Sequence, residues 1–161
     1  MAAKHYDVKT FTSQQSIGYL LKMSQSLVHD RAAAAFAGHD LSFIQWIALM
    51  VLREKGSQTA SELCRYMRHD NGALTRMLDL LEERGYVQRE RSEEDRRVVK
   101  LQLTAAGKRK VTELMPLLVE SLNETLADFS KAEFAELLRL LDKLVSGMRA
   151  QEARSDTDKT S

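Results

Sequence analysis

The stretch Asp70-Asn-Gly-Ala-Leu74-Thr-Arg-Met-Leu78-Asp-Leu-Leu-Glu82-Glu-Arg-Gly85-Tyr-Val-Gln-Arg89-Glu-Arg-Ser92-Glu-Glu-Asp95-Arg-Arg97-Val-Val-Lys100-Leu-Gln-Leu-Thr104 decides how the rest of the chain is read. Leu74, Met77, Leu78 and Leu81 recur at i, i+3, i+4 and i+7, which puts them on one face of a helix. Asp70 supplies an acceptor for the orphan amides of the first turn, and Gly85 suits the left-handed residue just past the last. Asn71, Gly72, Thr75, Arg76 and Asp79 fall on the opposite face and are polar or small. The pattern predicts a helix held from behind that presents its front to a partner.

Beyond the glycine the periodicity changes. Tyr86 to Arg91 alternates, and Val98 to Thr104 is rich in β-branched and apolar residues, with Val99, Leu101 and Leu103 on one side. Ser92 to Arg97 between them reads as too polar to be buried. A β-hairpin with a charged tip, a wing, is the simplest geometry. A helix of major-groove width beside a hairpin whose arginines reach an adjacent minor groove is a sound way to read duplex DNA.

Working outward, Thr59 with Glu62 forms a capping box that opens a short helix to about Met67, with Leu63, Cys64 and Met67 turned inward. Arg68-His69 makes the tight turn into the next helix, so the pair is a helix-turn-helix with the first helix supporting the second. Ser42 with Gln45 is another capping box, followed by the apolar face Phe43, Ile44, Ile47, Ala48, Val51 and Leu52 and by Gly56 as a stop. Thr12 with Gln15 is expected to open the first helix, whose stripe is Ile17, Leu20, Leu21, Ser24, Leu27 and Val28 and whose end is Gly38. Downstream, Thr104 caps a helix with the stripe Val111, Leu114, Leu117, Leu118 and Leu122, bent at Pro116. Ser130 with Glu133 opens another, carrying Phe134, Leu137, Leu138, Leu141, Leu144, Val145 and Met148. The terminal helices have more apolar face than a small domain needs, which points to pairing with a second copy. Residues 1–11 and 152–161 read as flexible tails.

The 161 residues suit one domain with one core, or one domain plus an oligomerisation arm. Net charge is only +1, but its distribution is uneven. Residues 84–110 hold nine Lys and Arg against four acids, a local +5 that leaves −4 for the rest. A basic patch on a near-neutral protein is an electrostatic footprint for phosphate. Cys64 is the sole cysteine, so no intrachain disulfide forms, which fits a reducing cytoplasm. The polar start, Met1 to Gln15, has no apolar core of a signal peptide, and the longest apolar run, Phe43 to Leu52, is too short to span a bilayer. The four histidines, His5, His29, His39 and His69, form neither a His-Glu-x-x-His pattern nor a dyad, and Gly72 and Gly85 are isolated rather than part of a phosphate loop. No catalytic residue, metal ligand or cofactor site is read from the chain.

The ordered set Leu41-Ser-Phe-Ile-Gln-Trp46, Thr59-Ala-Ser-Glu-Leu63, Leu81-Glu-Glu-Arg-Gly-Tyr-Val87, Asp95-Arg-Arg97 and Leu103-Thr104 resembles the MarR/SlyA family of bacterial winged-helix regulators, over roughly residues 14–150. The resemblance implies a mainly α fold with a small β-hairpin wing (α+β): a winged helix-turn-helix domain at 40–104, and dimerisation helices at 12–37 and 105–151. It implies a homodimer that binds double-stranded DNA at inverted-repeat operators as a repressor. The DNA contacts it places here are Ser61 at a helix start, Asn71, Gly72, Ala73, Thr75 and Arg76 on the reading helix, and Asp95, Arg96 and Arg97 in the wing. Asp95 and Arg97 match the family's Asp-x-Arg signature, which implies a salt bridge that shapes the tip. Family members often have hydroxyl residues where this chain has Gly72 and Ala73. Many members also bind small aromatic acids, and the candidate lining here is Ser24, His29, Gln45, Trp46 and Arg76. Two other readings are a winged helix used for protein contact and a redox-responsive regulator, though Cys64 sits on an inward face, as a small core residue would.

Overall fold

The computed structural model describes residues 4–67, 70–92 and 95–158, with the backbone alone for Asn71 and for 155–158. The Arg68-His69 turn lies outside the described residues. The elements are α1 (Ile17–Ala35), α2 (Phe43–Lys55), β1 (Gln58–Thr59), α3 (Ala60–Met67), α4 (Asn71–Glu83), β2 (Val87–Arg91), β3 (Val99–Leu103), α5 (Ala105–Thr125) and α6 (Lys131–Asp158). The expected architecture, mainly helical with a small wing, is what the chain forms. It divides into two compact units, residues 1–122 and 123–161.

Local chemistry sets most helix ends. At α2 the Ser42 hydroxyl accepts from the Gln45 amide and the Gln45 side chain accepts from the Ser42 amide. Thr59 and Glu62 exchange the same two bonds at α3, and Ser130 and Glu133 at α6. Glu62 is held below the usual carboxylate range, first by the Thr59 amide and then by the Thr59 hydroxyl. The first helix departs from expectation. Thr12 makes no capping bond; residues Ser13–Gln15 form one tight 3-10 turn, and Ser16 caps α1 by accepting from the Tyr19 amide at 3.2 Å. Upstream, the Ile17 amide donates to the Tyr6 hydroxyl, and the Tyr6 ring meets Phe11 edge-on, so residues 6–17 have a local fold. α5 runs unbroken through Pro116, and α6 continues to Asp158, beyond the residue 151 at which the sequence pattern ended.

The sheet has three strands where the sequence suggested two. β3 lies in the middle, antiparallel to β2 (Arg89 opposite Leu101) and to β1 (Gln58 opposite Leu101). Beneath it the core gathers Leu41, Leu49, Leu63, Leu74, Leu78, Leu81, Val87, Leu101, Val111 and Leu114, each essentially fully buried. Burying a leucine of this kind is worth about 1.5–3 kcal/mol. Leu74, Leu78 and Leu81 alone therefore fix the rotation of α4 and decide which of its faces looks outward.

By contrast, the α1 stripe is largely exposed: Leu20 is 51% and Leu27 62% exposed, and Ala32 is the one buried residue of the helix. In α6, Leu138, Val145 and Met148 are likewise exposed. Among the described residues no helix is long and apolar enough to cross a membrane.

Candidate nucleic-acid interface

α4 is built to be rigid at both ends. The Asp70 carboxylate accepts from the amides of Gly72 (2.9 Å) and Ala73 (3.1 Å). A Cβ added at Gly72 would sit 3.3 Å from that same carboxylate oxygen, so the glycine leaves the cap room as well as thinning the exposed face. At the far end the Tyr86 amide donates to the Leu81 carbonyl and the Gly85 amide to the Glu82 carbonyl, the Schellman pair, with Gly85 at φ +73°. Chain direction therefore reverses sharply into the wing.

The wing is fastened to α4 by Arg89. Its guanidinium donates to Asp79 at 2.6 Å and to Glu82, which hold it firmly protonated, Asp79 foremost. Sequence reasoning counted Arg89 only in the basic patch; its acidic partners lie seven and ten residues back and on another element. A second set of bonds gathers around Asp40, in the loop between α1 and α2. The Tyr86 hydroxyl donates to its carboxylate, the Arg84 guanidinium to its carbonyl, and the Lys110 ammonium of α5 lies 3.2 Å away. The Tyr86 hydroxyl foremost, with Lys110, holds the Asp40 carboxyl below its ordinary range against the opposing effect of partial burial. Tyr86 is pushed up in return, first by the bond to Asp40.

Thr104 and Gly107 seat α5 on the root of the wing. The Thr104 amide and hydroxyl both donate to the Tyr86 carbonyl, the hydroxyl also reaches the Gly85 carbonyl at 2.6 Å, and the Gly107 amide donates to the Thr104 hydroxyl. Gly107 is buried so closely that a Cβ there would lie 2.1 Å from the Tyr86 carbonyl oxygen.

Of the expected DNA contacts, Gly72, Thr75 and Arg76 are exposed on α4, while Ala73 is half-buried beneath the cap. Asn71 begins the helix; its side chain lies outside the described residues. Arg76 forms no ion pair among the described residues, since Asp79 is taken by Arg89 and Asp70 by the cap. Ser61 is exposed in the first turn of α3, one residue into the helix. In the wing Asp95, Arg96 and Arg97 are exposed. The expected Asp95–Arg97 salt bridge takes another form: the Asp95 carboxylate accepts from the Arg97 backbone amide at 2.9 Å, and the Asp95 carbonyl from the Val98 amide. The tip is thus shaped by an Asx turn, and the Arg97 guanidinium makes no ion pair with Asp95. Ser92, expected to be exposed, is 8% exposed, and its amide donates to the Val98 carbonyl. Glu93 and Glu94 lie outside the described residues.

The expected effector-lining residues are less uniform. Trp46 is buried, packed between Phe36 and Phe43, and its indole N–H donates to the Val111 carbonyl at 3.2 Å. Gln45 closes the α2 capping box. Gln45 forms the capping box expected of it, whereas Trp46 does structural work that its residue type alone did not reveal. Ser24 is exposed on α1, and His29 is half-buried with its ring 5.4 Å from that of Phe43. Cys64 is buried in the core.

Known proteins share this arrangement. Residues 39–98 match the sequence profile of the MarR family. The transcriptional regulator PecS of Dickeya dadantii is 33% identical over 132 residues, 80% of this chain and 78% of PecS. Wild-type MarR from E. coli in its apo form superposes with a TM-score of 0.72 at 28% identity, covering 80% of this chain and 96% of that one. A mutant of the same protein complexed with operator DNA gives 0.70 at 29%, covering 80% and 92%. An outward-facing helix fixed on a leucine core, a wing clamped beside it and relatives that are transcriptional regulators lead to one conclusion: the chain belongs to the MarR family and is a transcriptional regulator with a DNA-binding winged helix.

Proposed function

We propose that the protein is a homodimeric repressor of inverted-repeat operators. The observation that carries the reading is the exposed face of α4, with Gly72, Thr75 and Arg76, set rigidly beside a wing that carries Arg96 and Arg97. Asn71 and Arg76 suit base edges in the major groove, with Gly72 and Ala73 letting the helix approach closely. Ser61, at a helix N-terminus, suits a phosphate oxygen, and Arg96 and Arg97 suit the minor groove, with Asp95 setting the turn. One such unit reads only a few base pairs, so operator specificity needs two half-sites and a two-fold dimer. The exposed leucines of α1 and the apolar residues of α6 supply faces for a second copy. In this reading residues 12–37 and 105–151 serve dimerisation and 40–104 read DNA, in the cytoplasm.

The repressor is released by a small aromatic or phenolic acid, through a shift toward a dimer whose half-site spacing no longer fits. Ser24 and His29 of α1 and Arg76 are the side chains to contact it, with Gln45 and Trp46 in the wall behind. Operator-site selection tests both parts: fragments retained by the purified protein are sequenced with and without a panel of phenolic acids. An inverted repeat recovered only without acid is the expected outcome. Absence of salt-dependent DNA binding would favour a protein-contact role instead.

A further inference from the structure

The loop between α1 and α2 belongs to neither DNA-facing element, yet it is bonded to the short span that connects them. α4 ends at Glu83 with Arg84 as its C-cap and β2 begins at Val87, so only Gly85 and Tyr86 separate the reading helix from the hairpin. Gly85 sits at φ +73°, and glycine restricts backbone rotation less than any other residue. The residues on either side of it both reach Asp40: the Arg84 guanidinium donates to its carbonyl and the Tyr86 hydroxyl to its carboxylate. Lys110 of α5 completes the set, 3.2 Å from the other carboxylate oxygen and 2.9 Å from Glu113.

Farther along, Arg89 ties the hairpin to α4 through Asp79 and Glu82. Tyr86 and Arg89 are thus two attachment points on the hairpin's first arm, and two points fix an orientation that one would leave free to pivot. The orientation matters at the tip. β2 has five residues, about 16 Å of strand, so a tilt of about 10° moves the tip by about 3 Å, the length of a hydrogen bond. Asp40 itself is unsuited to touch DNA, because its carboxylate would be repelled by phosphate. It is also unsuited to hold the fold together: 45% of its side chain is open to solvent, so screening keeps its contribution to stability small.

We propose that Asp40 is a positioning residue for DNA binding, acting through Tyr86 to set the angle at which the wing meets DNA beside α4. The proposal rests on the reading of α4 and the wing as paired DNA contacts. What Tyr86 needs from residue 40 is a hydrogen-bond acceptor, not a negative charge, since Lys110 keeps Glu113 as its partner. With the acceptor gone, α4 still enters its groove, but Arg96 and Arg97 no longer arrive at the adjacent one.

The test uses the full chain and, as probe, the DNA fragment most enriched in operator-site selection. By fluorescence anisotropy D40A binds at least about fivefold more weakly than wild type, Y86F loses the same factor, and D40A/Y86F loses no more than either alone. D40N, which keeps an oxygen for the Tyr86 hydroxyl, binds within about twofold of wild type. All four variants melt within about 3 °C of wild type; a larger fall would assign Asp40 to the fold instead. At saturating D40A, hydroxyl-radical footprinting shows the flanking minor groove open where the wing lay and the half-site still covered, a pattern that loss of folded protein cannot give. D40A within twofold of wild type, D40N as weak as D40A, losses that multiply in the double variant, or a footprint that fades evenly would each overturn the proposal. A wild type that retains no fragment would overturn the DNA-contact reading and this role with it, so the two failures are told apart.

Discussion

Replacing Gly107 by alanine should be the most damaging single-methyl change in the winged helix. The added Cβ would lie 2.1 Å from the Tyr86 carbonyl oxygen, where ordinary contact begins at 3.4 Å, and 3.0 Å from a Leu103 methyl. The obstacle is backbone, so no rotamer change relieves it; α5 must move off the wing root by more than 1 Å. That movement weakens the two bonds Thr104 makes to the same carbonyl, at 3.1 and 3.3 Å. Each is worth about 1 kcal/mol net, so weakening both costs about 1 kcal/mol together, and overpacking adds about 1–3 kcal/mol, for a total near 3 kcal/mol. For a chain of this size the melting temperature should fall by about 6–12 °C. Gly147 in α6 is the control, because nothing lies within 4 Å of its added Cβ; Gly147→Ala should stabilise by about 0.5–1 kcal/mol. Both are measured by thermal denaturation at one protein concentration, since a dimer melts at a concentration-dependent temperature. A Gly107→Ala variant that melts within 2 °C of wild type would refute the close approach of α5 to Tyr86.

Arg97→Ala should abolish tight operator binding, flattening the salt dependence by about one phosphate contact, while circular dichroism and melting stay unchanged; wild-type affinity by fluorescence anisotropy would contradict the wing assignment. Arg89→Met removes two bonds to partly exposed acids, so solvent screening limits the stability loss to under about 1 kcal/mol, yet operator affinity should fall at least tenfold because the wing is no longer clamped to α4. The Asp40–Tyr86 bond has a pH signature. Asp40 titrates below its ordinary range in the fold, so its contribution is present above about pH 4 and is lost as pH falls through the folded value. Tyr86 titrates above its ordinary range, so its contribution is present below about pH 10 and is lost as pH rises through the folded value. Tyr86→Phe should therefore flatten both limbs of the stability profile while leaving its shape between pH 5 and 9 unchanged, as read by urea denaturation. Leu27→Asp on the exposed α1 stripe should yield a monomer by light scattering at micromolar concentration, with operator affinity lost alongside.

What could be read in advance was what the chain decides within four or five neighbours. The capping pairs Ser42–Gln45, Thr59–Glu62 and Ser130–Glu133, the Asp70 cap and the left-handed Gly85 depend on groups a turn apart, and each formed as its residues dictate. Thr12–Gln15 has the same spelling and failed, because the neighbouring Ser16 offers a hydroxyl one turn nearer to the helix. Two-residue β1 carries no periodicity of its own; it exists because β3 presents an edge. The candidate interface was legible where exposure follows from opposing a leucine stripe, as at Thr75 and Arg76. It was not legible where a side chain's role is set by a distant partner: Arg89 by Asp79 and Glu82, Trp46 by Val111, and Gly107 by the carbonyl of Tyr86. A sequence window shows that Trp46 is large and apolar; only the fold shows that its one polar atom is already engaged.

The corner at Asp40 has a mechanical consequence. Its carbonyl receives Arg84, the last residue before the glycine stop of α4, and its carboxylate receives Tyr86, the first residue of the wing's approach. One peptide unit between α1 and α2 therefore grips both sides of the joint at Gly85. Asp40→Ala, which keeps the carbonyl and removes the carboxylate, therefore separates the two holds: it should free the approach to the wing while leaving the end of α4 tied to the loop.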